Sequence, residues 1–209
     1  ETDINIPMYS GNLNLSYEID SLNLVSVGAG WMHFGMESEG INSTEIQGPG
    51  YAFGYDGIIY GKNTSNTITA NADYQHLWAG NPDRSFILSY QFNGSPSVNN
   101  TRNTFDTTDN NFLNLTDRRT EALVNSISHT VQADFSTPLS AGKKHTLNTG
   151  AKFIARHNSS DQEDFLFDGN SFVQDPLGSL EYDFFNNIGS VYTEYDGKFG
   201  PIGVKAGAR

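Results

Sequence analysis

Residues 67–93 read TITANADYQHLWAGNPDRSFILSYQFN, and their two-residue period decides the fold class. From Thr67 to Trp78 one face carries Ile68, Ala70, Ala72, Tyr74, His76 and Trp78. The other carries Thr67, Thr69, Asn71, Asp73 and Gln75, with Leu77 at its end. From Ser85 to Asn93 the apolar set is Phe86, Leu88, Tyr90 and Phe92, set against Ser85, Ser89, Gln91 and Asn93. Ala79-Gly80-Asn81-Pro82-Asp83 between them is turn chemistry, so the stretch is one β-hairpin.

The same pattern recurs on both sides. Ile127, His129, Val131, Ala133 and Phe135 alternate with Ser128, Thr130, Gln132 and Asp134. Leu147, Thr149, Ala151, Phe153 and Ala155 alternate with Asn148, Gly150, Lys152 and Arg156, and Pro138 to Lys144 joins the two runs. Asn187–Tyr195 and Ile202–Arg209 form a further pair. At the start Leu13, Leu15, Tyr17 and Ile19 lead through Asp20-Ser21 into 22–36. The expected fold is all-β, a single unit of antiparallel up-and-down hairpins over about 13–36, 66–94, 123–157 and 185–209. Long polar loops fill about 37–66, 94–122 and 158–180. The one helical candidate, Thr116–Ser126, has a weak pattern.

Composition agrees. The 209 residues hold 24 Asp+Glu against 12 Lys+Arg, a net charge of −12 that argues against nucleic acid as a partner. There is no cysteine, which excludes disulfide scaffolds, thiolate metal sites and cysteine catalysis. Fourteen Phe, ten Tyr, 21 Gly and 22 Asn suit strands and turns. No stretch reaches the roughly 20 apolar residues of a spanning helix, a test that a membrane β-barrel escapes. The chain begins at Glu1 with no initiator Met and no signal pattern. The expectation is a removed signal or a segment of a longer protein.

Short turns alternate with long polar connections, as in an outer-membrane barrel with short periplasmic turns and long outer loops. Tyr51, Phe53, Tyr55 and Ile59 also alternate. Counting 51–60 as a spanning strand would put a long loop and a short turn on the same side. It is therefore placed inside the first long connection, as a hairpin protruding beyond the bilayer. Eight strands result. The lipid-facing set is Ile68, Ala70, Ala72, Tyr74, Phe86, Leu88, Tyr90, Val131, Ala133, Phe135, Leu147, Ala151 and Phe153. The lumen-facing candidates are Asp73, Asp134, Lys152, Arg156, Lys205 and Arg209. In a water-soluble fragment the apolar set would have to become a core or an oligomer interface, and free strand edges would drive self-association. A soluble β-sandwich binding module and a complete eight-stranded barrel with a structural or adhesive role remain as alternatives.

No chemistry-bearing constellation emerges. The five histidines, His33, His76, His129, His145 and His157, show no HxH or HExxH spacing. Asp161, Glu163, Asp164 and Asp168 form an acidic cluster without EF-hand spacing. Gly28-Ala29-Gly30 falls inside a strand, where glycine permits close packing or a bulge. No P-loop, GxSxG or GxGxxG occurs, so the expectation is neither an enzyme nor a holder of metal or cofactor.

Four stretches also carry a resemblance: Asn71–His76 running through Asn81–Phe92; His129–Phe135 with Thr137-Pro138-Leu139; Lys144–Leu147 through Gly150–Asp161; and Gly203–Arg209. Their order and spacing resemble the barrel portion of TonB-dependent receptors of the Bacteroidetes type, in the outer membrane protein β-barrel family. The resemblance covers most of 66–209. It implies a bacterial outer-membrane location, a 22-stranded barrel closed by a plug domain, and energised uptake of an unknown ligand through the TonB complex. The partners it implies are outer-membrane lipid, the plug and the TonB complex. Plug, TonB-contacting segment and more than half of such a barrel are absent from these 209 residues.

Overall fold

The computed structural model describes residues 2–107, 114–140 and 144–209, the side chains of Tyr51 and Thr107 excepted. The described residues form strands and turns, with no helix. The strands are β1 (Thr2–Asn5), β2 (Met8–Asp20), β3 (Asn23–Gly48), β4 (Tyr51–Trp78), β5 (Asn81–Gly94), β6 (Ser97–Thr107), β7 (Arg118–Pro138), β8 (His145–Phe167), β9 (Phe172–Gln174), β10 (Leu180–Phe199) and β11 (Ile202–Ala208). All lie in one antiparallel sheet.

Three of the ten breaks between these strands are punctuation. β1 and β2 both pair with β3, and Ile6-Pro7 between them keeps step, since Pro7 O accepts from Gly35 N at 2.8 Å. β5 and β6 both lie between β4 and β7. Gly94 faces Ile68 and Ser97 faces Ser65, so no residue is gained or lost across Ser95-Pro96. A proline removes a ladder donor without stopping a strand whose neighbours stay paired. β9 and β10 both pair with β8, but residues 175–179 bulge out between them. Eleven strands less these three breaks make eight antiparallel passes, in sequence order across the sheet.

The passes are longer than the alternation predicts. β3 and β4 run 26 and 28 residues and meet at a two-residue turn, Pro49-Gly50. The stretch 37–66 is therefore mostly strand, and 51–60 is the outer part of β4. The stretch 94–122 is strand over Ser97–Thr107 and again from Arg118; 108–113 lie outside the described residues. The stretch 158–180 is strand to Phe167 and again over Phe172–Gln174. The helical candidate at 116–126 lies in β7 from Arg118 onward. The first pass begins at Thr2 rather than near Leu13. Short turns at 21–22, 79–80 and 200–201 occupy one end of the sheet, along with the 139–144 connection, of which 141–143 are not described. The long hairpins occupy the other end.

Among the described residues the sheet has no second layer. Phe53, 6% exposed, is the one buried large hydrophobic residue among those described. The accessible surface is 13901 Å², against about 9,600 Å² for a compact monomer of this mass. A sandwich core is absent, which overturns the β-sandwich alternative. No pairing joins β11 to β1 or β2 among the described residues, so the eight passes do not close into a barrel by themselves.

The hairpin tip over Pro49-Gly50 depends on Gly50, whose φ of +87° lies in the left-handed region. Gly50→Val is expected to cost about 1–2 kcal/mol at that turn. The loss should appear as faster amide hydrogen exchange at Gly48 and Tyr51, with the amides of β7 and β8 unchanged.

Candidate functional site

Cross-strand partners share a face, so the register sorts every side chain. One row runs Leu15, Val27, Ala72, Tyr90, Val131, Phe153, Gly189 from β2 to β10. The next runs Tyr17, Val25, Tyr74, Leu88, Ala133, Ala151, Val191. Ile68 stands opposite Trp31, Ala70 opposite Ala29, Phe86 opposite Phe135 and Leu147 opposite Tyr195. All thirteen residues of the apolar set thus lie on one face. Tyr90 and Phe153 remain 39% and 51% exposed. The expectation that this face becomes a core does not hold for the isolated chain. The side chains of Asp73, Gln75, Gln132, Asp134, Asn148 and Lys152 are half-buried instead. The apolar face has no cover among the described residues, while the polar side chains shelter one another through hydrogen bonds such as those of Asp134 with Tyr192 and Gln132.

Aromatic and histidine rings bound the apolar face at both ends. Toward the long hairpins, His33 stacks near Tyr9 and Trp31 (6.0 and 6.2 Å), His129 packs against Phe92 (5.3 Å) and His157 lies parallel to Phe185 at 4.2 Å. His157 Nε2 also lies 2.5 Å from Asp183 Oδ1. Toward the short turns, His76 meets Trp78 edge-on at 4.5 Å, Trp78 meets Phe135 at 5.8 Å, and His145 contacts Tyr195 and Phe199 at 5.9 and 4.9 Å. All five histidines therefore sit on the apolar face, each against an aromatic ring. The sequence marked only His76 and His129 this way, because ring pairing becomes visible only once strands are in register.

The opposite face is polar. It carries the row Ser16, Ser26, Asp73, Ser89, Gln132, Lys152, Ser190, and beside it Asp134, Gly150, Tyr192. Arg156 stands between Ser128 and Asn186, and Lys205 opposite Asp196. Arg209 follows in step beyond the last pair, so all six lumen-facing candidates share this face. The Tyr192 hydroxyl donates to Asp134 Oδ1, and Gln132 Nε2 donates to Asp134 Oδ2 at 2.7 Å and to the Tyr192 oxygen at 3.1 Å. A Cβ at Gly150 would come within 2.5 Å of the Tyr192 ring carbon Cζ and 2.7 Å of Asp134 Oδ1. Glycine there lets Tyr192 lie across the strand. At Gly28 a Cβ would strike Asn14 and Asn71, so the Gly28-Ala29-Gly30 reading resolves to close packing without a bulge.

The outer membrane protein beta-barrel family model matches residues 81–209, from β5 to the end of β11. The chain belongs to that family. No curated protein matches the chain. Among solved structures it is similar to the ferric yersiniabactin uptake receptor FyuA from Yersinia pestis, with 8% identity, 91% of this chain and 35% of that chain covered, and a TM-score of 0.47. It is similar also to the RagAB peptide importer (10% identity, 97% and 31% covered, TM-score 0.45) and the ferric citrate transporter FecA (9%, 99% and 35%, TM-score 0.41). The chain spans about a third of the length of each. This outer-membrane β-barrel protein thus lies in the bacterial outer membrane.

Beyond the ring belts, the long hairpins of this barrel-family chain carry charged and polar side chains on both faces, with aromatic contacts such as Tyr55 against Phe105 among them. On the face continuous with the apolar one, Glu39, Tyr60, Arg102, Arg119 and Glu121 line an open groove of about 620 Å³. Arg119 stacks over Phe165 at 4.5 Å, and its Nε lies 3.2 Å from Glu121, off the hydrogen-bond direction. On the other face Asp164 is 3% exposed. It accepts from Arg118 Nη2 at 2.6 Å and Thr120 Oγ1 at 2.5 Å, while Ser179 Oγ accepts from its N–H at 3.1 Å. This pins residues 175–179 onto the polar face. The acidic cluster therefore disperses. Asp161 and Glu163 sit on one face of β8, Asp164 on the other, and Asp168 caps a turn. The N–H groups of Ser171 and Asn170 hold the Asp168 carboxyl below its ordinary value. No group of three or more metal-ligating side chains converges among the described residues.

Two outcomes follow. Gly150→Val forces Tyr192 off its strand and is expected to cost about 1–3 kcal/mol in the urea midpoint of the micelle-folded protein. Adding Tyr192→Ala should recover part of that loss. In the outer hairpin the Glu37 carboxylate accepts the Tyr60 hydroxyl, and this bond raises the Tyr60 pKa, with burial and the nearby Glu37 and Glu39 charges adding to it. A raised phenol contributes stability below its unfolded value near 10 and loses it as pH rises through the folded value. In ultraviolet titration, the phenolate step that Tyr60→Phe removes should lie above pH 10 and move down in Glu37→Gln.

Proposed function

We propose that this chain is a stretch of the barrel wall of a TonB-dependent receptor of the Bacteroidetes type, which takes up a ligand across the outer membrane. The carrying observation is a coreless sheet with one apolar face bounded by ring belts at both ends and one polar face. The apolar face meets lipid and the polar face lines the lumen. On β8 the belts fall at His145 and His157. Twelve residues at about 3.3 Å each, tilted about 45°, rise about 28 Å, which fits an apolar band of about 25 Å. The long hairpins then project outward from the cell. The open edges at β1–β2 and β11 pair with further wall strands, since an unpaired edge at bilayer depth leaves backbone groups without partners. The plug and the TonB complex are the partners this reading implies. The chain works by positioning a pathway, without catalysis.

Lipid orientation is tested by arginine placed on each face of β7. Val131→Arg should reduce the stability of protein folded into vesicles by about 2–4 kcal/mol, the midplane cost. Thr130→Arg, one residue away and on the polar face, should cost less than about 1 kcal/mol. Equal costs would sink the assignment. The larger barrel is tested with disulfides, in a chain that has no native cysteine to interfere. Cysteines at Leu13, Leu15 or Tyr17 combined with cysteines at Val204 or Ala206 should not crosslink within one molecule. A crosslink would establish the complete eight-stranded barrel instead.

A further inference from the structure

On the polar face, some charges have partners and others do not. Asp134 is committed to Tyr192 and Gln132. Glu194 is committed to Lys205 Nζ at 3.0 Å, with the Asn148 amide at 3.5 Å. With both nearby carboxylates engaged, Lys152 and Arg209 have no ion-pair partner among the described residues. Both line one groove of about 470 Å³ together with Gln132, Tyr192 and Glu194. Gly207 keeps one wall of it low, since a Cβ there would come within 3.1 Å of Thr193 O. The groove thus presents an ammonium and a guanidinium from strands two apart, with room between them.

We propose that this groove is a binding site for a carboxylate, gripped between Lys152 and Arg209. A planar carboxylate group fits the two-pronged guanidinium, while the ammonium supplies a point charge beside it. The proposal rests on the polar face lining the lumen. The carboxylate then belongs either to an anionic solute in the pathway or to an Asp or Glu of a polypeptide segment inside the barrel. Both sources present the same chemistry.

The test is amine labelling with acetic anhydride on intact protein extracted from the outer membrane in detergent, followed residue by residue by mass spectrometry. Succinate is the probe, exposed Lys198 the internal reference and Arg209→Gln the discriminating variant. Saturable protection of Lys152 by succinate, about tenfold and lost in Arg209→Gln, identifies a free carboxylate as the occupant. Protection already present without succinate, and lost in Arg209→Gln, identifies a carboxylate of the chain within the lumen. Labelling of Lys152 that is indifferent to Arg209→Gln, with or without succinate, overturns the site, because a merely sheltered lysine would behave that way. Val131→Arg and Thr130→Arg are read in parallel. Should both be tolerated while succinate protection persists, the carboxylate site stands and the lumen orientation falls.

Discussion

Strand register through the shared rows from β2 to β10 is the constraint on which everything else in this protein depends. A one-residue slip anywhere between β2 and β10 would turn an entire strand's apolar set onto the polar face. The pairing carries Leu15, Ala72, Tyr90, Val131 and Phe153 in one row, and even the prolines at 7 and 96 leave the count unchanged. With almost no core to correct an error, backbone pairing is the only device that keeps the two faces distinct. In a bilayer the same pairing also satisfies every N–H and C=O that lipid cannot. One ladder therefore does the work that packing and hydrogen bonding share in a water-soluble domain.

Register explains which parts of the fold were legible in sequence. Where one face meets an apolar medium and the other a polar one, alternation is strong, and Thr67–Asn93 or Ile127–Phe135 could be assigned to strands and to faces from sequence alone. Beyond the ring belts both faces are wet. Glu37, Ser38, Glu39 and Gly40 then carry no period, although they pair residue for residue with β4. Two-sided polarity is indistinguishable from loop composition, which is why 37–48 and 158–167 looked like connections. The alternation in Phe53, Tyr55 and Ile59 survived because Phe53 is buried on one side.

Sites made from different strands were the least legible. Asp164 stands next to Glu163 in sequence, yet the two face opposite ways, and the partner of Asp164 is Arg118, 46 residues earlier. Histidines one per strand gave no spacing signal, and they form belts only because neighbouring strands bring rings beside them. Parity groups the six polar candidates on one face. Parity does not reveal that Asp134 is already occupied by Tyr192, or that Lys152 and Arg209 are left over. Partnership depends on which strand lies next door.

The exposed apolar face completes the logic. In water, burial of Tyr90, Val131 and Phe153 would demand a second layer, and this chain has neither the layer nor a pattern to build one. Its polar side bears glycines, with Gly28 and Gly150 placed where Asn14, Asn71 and Tyr192 must close over the backbone. Glycine placement and polar pairing thereby close that side on itself through its own hydrogen bonds. The apolar side has no such partners and is left without a cover among the described residues.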